Sequence, residues 1–295
     1  MALKILITGG NGQLGSSLRT EFARREGLAP CFVSHSELDI TDAQAIERVM
    51  SREGFDVIVN CAAYTNVDGA ESERELASLI NGEAPRLLAE AAARHGAKMI
   101  HISTDYVFDG LSREPYTEED MPHPLSHYGA SKLEGERKVL AALPSAIVIR
   151  TSWLYSARRG NFVSAILSRA AESGTLRVVD DQTGSPTYAP DLAAAIARIV
   201  QSENPTPGIY HYANRGAISR YRFAQAILQM AGKLDTCRVI PVKSSEYPTP
   251  ATRPAFSALS TAKIERTFGL EIPDWDTSLA RCINELNDNN ITNDY

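Results

Sequence analysis

Short apolar runs alternate with longer amphipathic segments along the first 150 residues of the chain. The runs predict five strands, at residues 3–7, 31–33, 56–63, 98–104 and 146–150. Between them, apolar residues recur at helical spacing and predict helices, among them 43–50, 81–95 and 128–143. The third strand is apolar almost throughout, as in a sheet covered on both faces. The alternation therefore predicts an α/β fold with a Rossmann-type, doubly wound parallel sheet.

The pattern becomes looser after residue 155. It predicts helices at 162–172 and 191–201, a strand at 176–179, and a further strand near 208–213 that is a candidate to rejoin the first sheet. We therefore predict a first domain at residues 1–155 and a smaller C-terminal α/β lobe at residues 156–295. The Asn- and Asp-rich end of the chain, residues 284–295, is expected to be frayed.

Composition excludes several classes of protein. Hydrophobic residues make up 43% of the 295 residues and charged residues 22%, which is typical of a folded globular protein. The net charge of −6 argues against nucleic-acid binding, and apolar runs are too short for a membrane span. The four cysteines are widely spaced, without a CxxC pair, which favours reduced thiols over structural zinc. We expect a cytoplasmic protein that acts away from membranes and nucleic acid.

A glycine turn follows the first predicted strand directly. Gly9, Gly12 and Gly15 form a GxxGxxG motif between an apolar strand and a predicted helix. In this setting the first glycine permits the sharp turn, the second lets a pyrophosphate approach the backbone, and the third lets helix and strand pack closely. The free N–H groups of the helix N-terminus then face the phosphates. The first domain is therefore predicted to bind a dinucleotide.

The end of the second strand bears on the choice of dinucleotide. An NAD-selective site usually places an acidic residue there, to bond the ribose 2′-hydroxyl. Here the strand ends in Ser34 and His35, and the first acid is Glu37. Hydroxyl and imidazole groups tolerate a 2′-phosphate better than a carboxylate does. The sequence thus favours NADPH, with NADH possible, and with solvent-facing Ser34 and His35 as the alternative interpretation.

A tyrosine and a lysine provide candidate chemistry. Tyr128 and Lys132 are four residues apart on a predicted helix and so share one face. The pKa of a free tyrosine lies near 10, and a neighbouring ammonium is expected to lower it. Thr104 ends the fourth strand, at the carboxyl edge of the sheet where doubly wound folds bind ligands. A hydroxyl there can hold a substrate carbonyl beside Tyr128.

The chain resembles the dTDP-4-dehydrorhamnose reductase family of extended short-chain dehydrogenases/reductases. Beyond the glycine turn, Thr104 and the YxxxK pair, the resemblance rests on VIVNCAAYTNVD at 57–68, STDYVFDG at 103–110, RTSWLY at 150–155, DQTGSPT at 181–187 and PATRP at 250–254. The resemblance covers essentially the whole chain, and the motifs follow one another in the same order as in the family. It implies NAD(P)H-dependent reduction of the 4-keto group of dTDP-4-dehydro-β-L-rhamnose to dTDP-L-rhamnose, with the C-terminal lobe binding the substrate.

The resemblance also implies roles for individual residues. Tyr128 protonates the developing alkoxide, Lys132 tunes Tyr128 and binds the nicotinamide ribose, and Thr104 aids proton transfer. The substrate is contacted by Thr104, Asp105 and Trp153, and Arg253 is a candidate for its diphosphate. The implied cofactor-binding residues are Gly9, Gly12, Gln13, Leu14, Gly15, Asp39, Ile40, Ala62, Ala63, Tyr64, Thr65, Tyr128 and Lys132.

Alternatives stay open for two of these residues, and the chain departs from the family at two places. Trp153 is alternatively a packed aromatic between lobes, and Arg253 a surface cation. Ser126 stands before the catalytic helix where many relatives carry Asn, which leaves the start of that helix open. Some relatives dimerise around Mg²⁺, but Ser17 and Pro190 occupy the positions that align with their acids, so we expect no metal, in a monomer or homodimer.

Two other functions compete with this one. A sister reductase acting on another dTDP-4-keto-6-deoxyhexose, in a secondary-metabolite pathway, has the same core motifs. A non-catalytic, NADP-binding regulatory subunit is the alternative outside enzymes, because the family has a relative that regulates methionine adenosyltransferase. The presence of Tyr128, Lys132 and Thr104 favours an enzyme.

Overall fold

A six-stranded parallel sheet forms the centre of the molecule in this computed structural model, which describes the backbone of residues 2–292 and the side chains of residues 2–288. The strand order is β10-β5-β4-β3-β1-β2, and each neighbouring pair is parallel. The order reverses between β1 and β3, which is the switch point where doubly wound sheets bind ligands. The elements of the first half are β1 (Leu3–Thr8), α1 (Gln13–Phe22), β2 (Leu28–Val33), α2 (Ala43–Glu53), β3 (Val57–Asn60), α3 (Arg74–Ser78), α4 (Ala84–His95), β4 (Lys98–Thr104), α5 (His127–Ala142) and β5 (Ile147–Thr151). The predicted Rossmann-type fold is thus confirmed.

The second half of the chain alternates between this sheet and a smaller lobe. In the lobe, β7 pairs in parallel with β12, and α6, α8 and α10 pack around them in a separate apolar core. The elements of this half are β6 (Leu154–Tyr155), α6 (Phe162–Glu172), β7 (Thr175–Val179), β8 (Thr183–Gly184), β9 (Thr187–Tyr188), α7 (Ala189–Val200), β10 (Gly208–Tyr212), β11 (Ile218–Ser219), α8 (Arg220–Met230), β12 (Arg238–Val242), α9 (Ala262–Phe268) and α10 (Trp275–Thr292).

Apolar side chains cover both faces of the sheet. On one face, α1 packs against α7 and α9 packs on β10; on the other lie α2, α4 and α5. The strand near 208–213 is β10, and it lies beside β5 at the edge of the sheet. Elements from beyond residue 155 thus complete the core of the first sheet before the chain returns to the smaller lobe.

Two helices differ from the sequence predictions. The segment predicted as one helix from residue 81 begins earlier, as α3, and passes into α4 through a π-helical turn at Leu79–Glu83. At the C-terminus, α10 extends to Thr292, so the expectation of a frayed tail is wrong for residues 284–292. The rest of that predicted tail, residues 293–295, lies outside the described residues. A helix forms here despite the many polar side chains because the apolar face of α10 packs into the core of the lobe.

Candidate active site

A cavity of about 1020 Å³ opens at the carboxyl edge of the sheet, beside the switch point. It brings together residues that are far apart in the sequence, from the glycine turn to the start of α5 and the loop after β5. The predicted site residues that line it are Gly9, Gly12, Gln13, Leu14, Gly15, Asp39, Ile40, Ala62, Ala63, Thr65, Thr104, Asp105, Tyr128, Lys132 and Trp153.

The glycine turn brings backbone segments closer together than side chains would permit. Gly9 has a positive φ of 64°, and a Cβ there would lie 2.8 Å from the backbone N of Ala62. A Cβ on Gly15 would lie 2.4 Å from the carbonyl oxygen of Gly9. Helix α1 begins after Gly12, and no side chain of the described residues caps it there. Its first N–H groups are therefore available to an anionic ligand, which fits a dinucleotide pyrophosphate.

Ser34 and His35 lie at the rim of the cavity, beyond the end of β2. His35 is largely exposed, whereas Ser34 is half-buried. The carboxylate of Glu37 turns back and accepts hydrogen bonds from the N–H and the hydroxyl of Ser34, at 2.8 and 2.6 Å. Asp39 is engaged in the same way by the N–H and hydroxyl of Thr41. These hydrogen bonds lower the pKa values of Glu37 and Asp39, and they engage both carboxylates with residues of the same loop.

Tyr128 and Lys132 share one face of α5, as predicted. The Ser126 side chain caps this helix by accepting a hydrogen bond from the N–H of Gly129, so Ser fulfils the capping role at its start. The Lys132 side chain is buried, and its Nζ donates to the carbonyl oxygen of Ile102 at 2.7 Å. Burial lowers the pKa of Lys132 to about 8, although Glu136 opposes the shift.

The expected lowering of the Tyr128 pKa is wrong in direction. Burial raises the pKa of Tyr128, and Asp105 and Tyr106 raise it further, while a hydrogen bond with Thr104 opposes them. The phenol therefore holds its proton at neutral pH, which is the form that a general acid needs. Burial has this effect because it penalises the charged phenolate directly, and Lys132 is not among the groups that shift the pKa of Tyr128.

Thr104 ends β4 and Asp105 follows it, and both line the cavity. The hydroxyl of Thr104 donates to Asp105 at 3.1 Å, and the hydroxyl of Ser257 donates to the other carboxylate oxygen at 2.6 Å. Asp105 is 1% exposed, and burial raises its pKa to about 6. The hydrogen bonds to Ser257 and Thr104 partly offset that effect. A carboxyl group so placed can accept a hydrogen bond from a bound hydroxyl.

A second cavity of about 1330 Å³ adjoins the first, and Tyr106, Phe162 and Arg220 line both. Its lining is rich in cations, and the predicted substrate residue Arg253 lies there. Arg253 donates to both oxygens of Asp68, at 3.1 and 2.8 Å, and to the hydroxyl of Thr249 at 2.6 Å. The cationic residues that line this cavity are Arg159, Arg169, Arg177, Arg220, Lys233 and Arg253.

Arg220, at the first position of α8, was missed by the sequence analysis. Its guanidinium carbon lies 3.5 Å from the ring centroid of Trp153, within cation–π distance. Trp153 has a left-handed φ of 46° and packs against Gly184, so its ring belongs both to the cavity wall and to the contact between lobes. Arg220 comes from a segment without a recognisable motif, and only the folded chain brings it to the junction of the two cavities.

Tyr64 lies outside the lining of the cofactor cavity, unlike the neighbouring predicted residues. Its hydroxyl donates to Glu73, and its backbone N–H and carbonyl both bond the side chain of Asn81. Asn81 sits in the π-helical turn and also donates to Ser131 of α5. The turn therefore positions the loop after β3 against α5.

Within residues 2–288, no group of three or more His, Cys, Asp and Glu side chains is arranged to hold a metal ion. No helix in the described part of the chain is long and apolar enough to cross a membrane. The four cysteines are free thiols, and Cys237 and Cys282 are buried.

The doubly wound sheet, the glycine turn at its switch point and the Tyr–Lys helix beside it define a Rossmann-type oxidoreductase of the extended short-chain dehydrogenase/reductase class. The family described as RmlD substrate binding domain matches residues 3–288 of the chain. The chain is 44% identical over 285 residues to the dTDP-4-dehydrorhamnose reductase of Mycobacterium tuberculosis, covering 95% of this chain and 92% of that protein. The chain therefore belongs to the RmlD family.

Two further relatives bear on its activity. The probable dTDP-4,6-dihydroxy-2-methyloxan-3-one 4-ketoreductase of Streptomyces antibioticus is 38% identical over 287 residues, with 96% of each protein covered. The crystal structure of dTDP-4-dehydrorhamnose reductase from Bacillus anthracis in complex with NADP matches with a TM-score of 0.92 at 37% identity. That match covers 97% of this chain and 100% of the other.

Proposed function

We propose that this protein reduces the 4-keto group of dTDP-4-dehydro-β-L-rhamnose to dTDP-L-rhamnose with NADPH, with NADH as a second possible cofactor. The observation that carries the proposal is the meeting of two cavities at Tyr106 and Arg220. One cavity holds the glycine turn and the Tyr–Lys pair, and the other is rich in arginines. Membership in the RmlD family supports the same substrate and cofactor. Its relatives include proteins named dTDP-4-dehydrorhamnose reductase, one of them with a crystal structure in complex with NADP.

The cofactor cavity fits a nicotinamide dinucleotide. Its pyrophosphate would lie on Gly12, Gln13 and Leu14 at the start of α1, with the adenine beside Asp39 and Ile40. The segment Ala62, Ala63 and Thr65 would line the middle of the cofactor, and Lys132 its nicotinamide ribose. When bound, NADPH supplies the hydride for the reduction. Tyr64 would make no direct contact with the cofactor, since its side chain bonds Glu73 and its backbone N–H and carbonyl both bond Asn81.

The proton comes from the chain itself. Negative charge develops on the substrate oxygen during reduction, and a positioned acid lowers the barrier by protonating it. Tyr128 holds a proton at neutral pH because burial raises its pKa, and Thr104 hydrogen-bonds to it. The charged Lys132 beside them would hold a ribose hydroxyl and favour the phenolate that is left after proton transfer.

The arginine-rich cavity would receive the dTDP part of the substrate. We propose that Arg253 and Arg220 bind its diphosphate, since guanidinium groups match phosphate oxygens. Asp105, Thr104 and Trp153 would contact the hexose, where the two cavities meet. The overall charge of −6 is no obstacle, because local cations set the potential of this cavity.

A sister 4-ketoreductase is the second candidate. The Streptomyces antibioticus relative, named as a probable 4-ketoreductase for a different dTDP sugar, supports it at 38% identity. Both candidates use the same Tyr128, Lys132 and Thr104, so the product decides between them.

Turnover with product identification tests the proposal. Oxidation of NADPH is followed with dTDP-4-dehydro-β-L-rhamnose, and the product sugar is identified by NMR spectroscopy. We expect dTDP-L-rhamnose. Activity restricted to another dTDP-4-keto-6-deoxyhexose would select the sister reductase. Tight NADPH binding without turnover on either sugar would select the non-catalytic regulatory subunit.

The substitution Arg253→Gln tests the diphosphate site. We expect KM for the sugar nucleotide to rise about tenfold or more, with a much smaller change in kcat, because the charge–phosphate contact acts on binding. The matched control is Arg215→Gln, which removes an exposed arginine paired with Glu265 on another surface. Equal KM values in wild type and Arg253→Gln would contradict the assignment.

The substitution Ser34→Asp tests the preference for NADPH. A carboxylate at this rim position repels a ribose 2′-phosphate and can accept a hydrogen bond from a 2′-hydroxyl. We expect KM for NADPH to rise about tenfold, while KM for NADH stays the same or falls. The measurement is the ratio of the two KM values in one variant, so NADH is the internal reference. If the ratio of the two KM values were the same as in wild type, the 2′ position of the cofactor ribose would lie away from Ser34.

Three broader proposals accompany this function. Residues 1–155 would form the dinucleotide-binding domain, and 156–295 mainly the substrate-binding lobe, with α7, β10 and α9 added to the first sheet. The protein would act in the cytoplasm, where NADPH and nucleotide sugars are available and its thiols stay reduced. It would work as a monomer or homodimer.

A further inference from the structure

A buried ion pair lies behind Lys132, one helical turn further along α5. Glu136 and Arg150 are 1% and 2% exposed. The Nε and Nη2 atoms of Arg150, on β5, donate to the two carboxylate oxygens of Glu136 at 2.9 and 2.7 Å. The hydroxyl of Ser103, on β4, donates to the same carboxylate at 2.5 Å. This bidentate geometry with a third donor fixes the orientation of the Glu136 side chain.

The partners of Glu136 form a row across the sheet. Ser103 pairs in register with Arg150, and Arg150 with His211 on β10. The Nδ1 atom of His211 lies 3.0 Å from the carbonyl oxygen of Tyr116, and Nε2 lies 3.5 Å from Nη1 of Arg150. Burial lowers the pKa of His211 to about 3, so the ring is neutral and its Nε2 accepts from Arg150. The guanidinium of Arg150 is thus held by Glu136 at Nε and Nη2 and by His211 at Nη1.

Lys132 and Glu136 face the same strand. Lys132 donates to Ile102 and Glu136 accepts from the adjacent Ser103, so both side chains point from α5 toward β4. Residues four apart on a helix are neighbours, and opposite charges there attract. In a buried setting this attraction is screened less than at the surface.

The other titratable groups around Lys132 are uncharged near pH 7. They are Tyr128 on the same helix, Cys61 after β3 and His101 on β4. Burial raises the pKa values of Tyr128 and Cys61, the latter to about 12, and it lowers that of His101 well below its ordinary range. Asp105, whose pKa burial raises to about 6, acts on Tyr128 and is not among the charges that shift the pKa of Lys132. Glu136 is therefore the anion that opposes the effect of burial on Lys132.

We propose that Glu136, held by Arg150, is a positioning residue of the active site that keeps the buried Lys132 charged and directed toward the cofactor cavity. This inference rests on the proposed function for its consequence in catalysis. Arg150 holds the Glu136 carboxylate against the sheet and itself lines neither cavity. Glu136 therefore stays aligned with Lys132 while the guanidinium of Arg150 compensates its negative charge. A buried charge pair without such a task is no more stabilising than apolar residues of similar size.

The test compares Glu136→Gln with wild type by two measurements. The titration of Lys132 is followed by ¹³C NMR in protein labelled at lysine Cε, since the chain has only seven lysines and Lys132→Met assigns the signal. The alkaline limb of the kcat/KM profile is measured in parallel. We expect the wild-type midpoint near pH 8. In Glu136→Gln both midpoints should move to lower pH by about one pH unit, because the opposing charge is gone.

The matched control is Glu134→Gln, the same change two residues earlier on α5. Glu134 pairs with Lys138 and its side chain is 43% exposed, so neither midpoint should move. If the uncompensated Arg150 prevents Glu136→Gln from folding, Glu136→Gln/Arg150→Met removes both charges, and the same downward shift is expected.

A Lys132 midpoint equal to that of wild type, in whichever of these variants folds, would overturn the proposal and leave the ion pair a purely structural one. The NMR titration needs no substrate. Absence of turnover in wild type would therefore refute the proposed function while the titration still decides the role of Glu136.

Discussion

Replacement of Tyr128 by phenylalanine is expected to lower kcat by about 10²–10⁴-fold, the usual contribution of general acid catalysis. Phe keeps the ring and its edge contact with Tyr106, whose centroid lies 5.5 Å away, so packing changes little. What is lost is the hydroxyl that carries the proton at neutral pH. Because the change affects the reaction and not the ground-state contacts, kcat and kcat/KM should fall together.

The matched control is Tyr221→Phe, which removes the hydroxyl of a half-buried tyrosine that packs against the lobe core and lines neither cavity. Its kcat should equal that of wild type, and both variants should bind NADPH as wild type does, measured by fluorescence titration. Undiminished turnover in Tyr128→Phe would remove Tyr128 from the mechanism.

Replacement of Gly15 by alanine is expected to abolish productive cofactor binding and to destabilise the fold. The new Cβ would lie 2.4 Å from the Gly9 carbonyl oxygen and 2.7 Å from the Cα of Gly10, and backbone atoms cannot rotate away. Helix α1 must therefore move off the turn, which spoils the arrangement of N–H groups around the pyrophosphate. We expect Kd for NADPH to rise at least about tenfold and Tm to fall by about 5 °C, in line with the cost of overpacking.

Gly174→Ala is the control for that substitution. A Cβ at Gly174 would approach no atom closer than 3.8 Å, and the residue lies before β7, away from the cofactor. Its Kd and Tm should stay near the wild-type values. If Gly15→Ala also behaved as wild type, the glycine turn would not be the pyrophosphate site.

The sequence predicted the parts of the site that depend on local patterns. The strand–turn–helix around Gly9, Gly12 and Gly15 is fixed by neighbouring residues, and so are the positions of Tyr128 and Lys132 on one helix face. Thr104 at the end of β4 follows from the parallel sheet alone. For these residues, spacing and element type were sufficient.

Features that depend on burial or on distant packing were missed or misjudged. The pKa of Tyr128 rises instead of falling because desolvation, which a sequence does not show, penalises the phenolate. Arg220 reaches the site only because β11 pairs with β8 and presents the start of α8 beside Trp153. The ion pair of Glu136 and Arg150 joins a helix to a strand across the core, so neither residue stands out in its own segment.

The central claim is that the two adjoining cavities bring a nicotinamide cofactor and a 4-keto sugar nucleotide together for reduction at carbon 4. Its most direct test is turnover of dTDP-4-dehydro-β-L-rhamnose with NADPH that carries deuterium at the transferable position. NMR spectroscopy and mass spectrometry then locate the label. We expect dTDP-L-rhamnose with one deuterium at C4 of the sugar. A reduced sugar without the label, or labelled at another carbon, would contradict it.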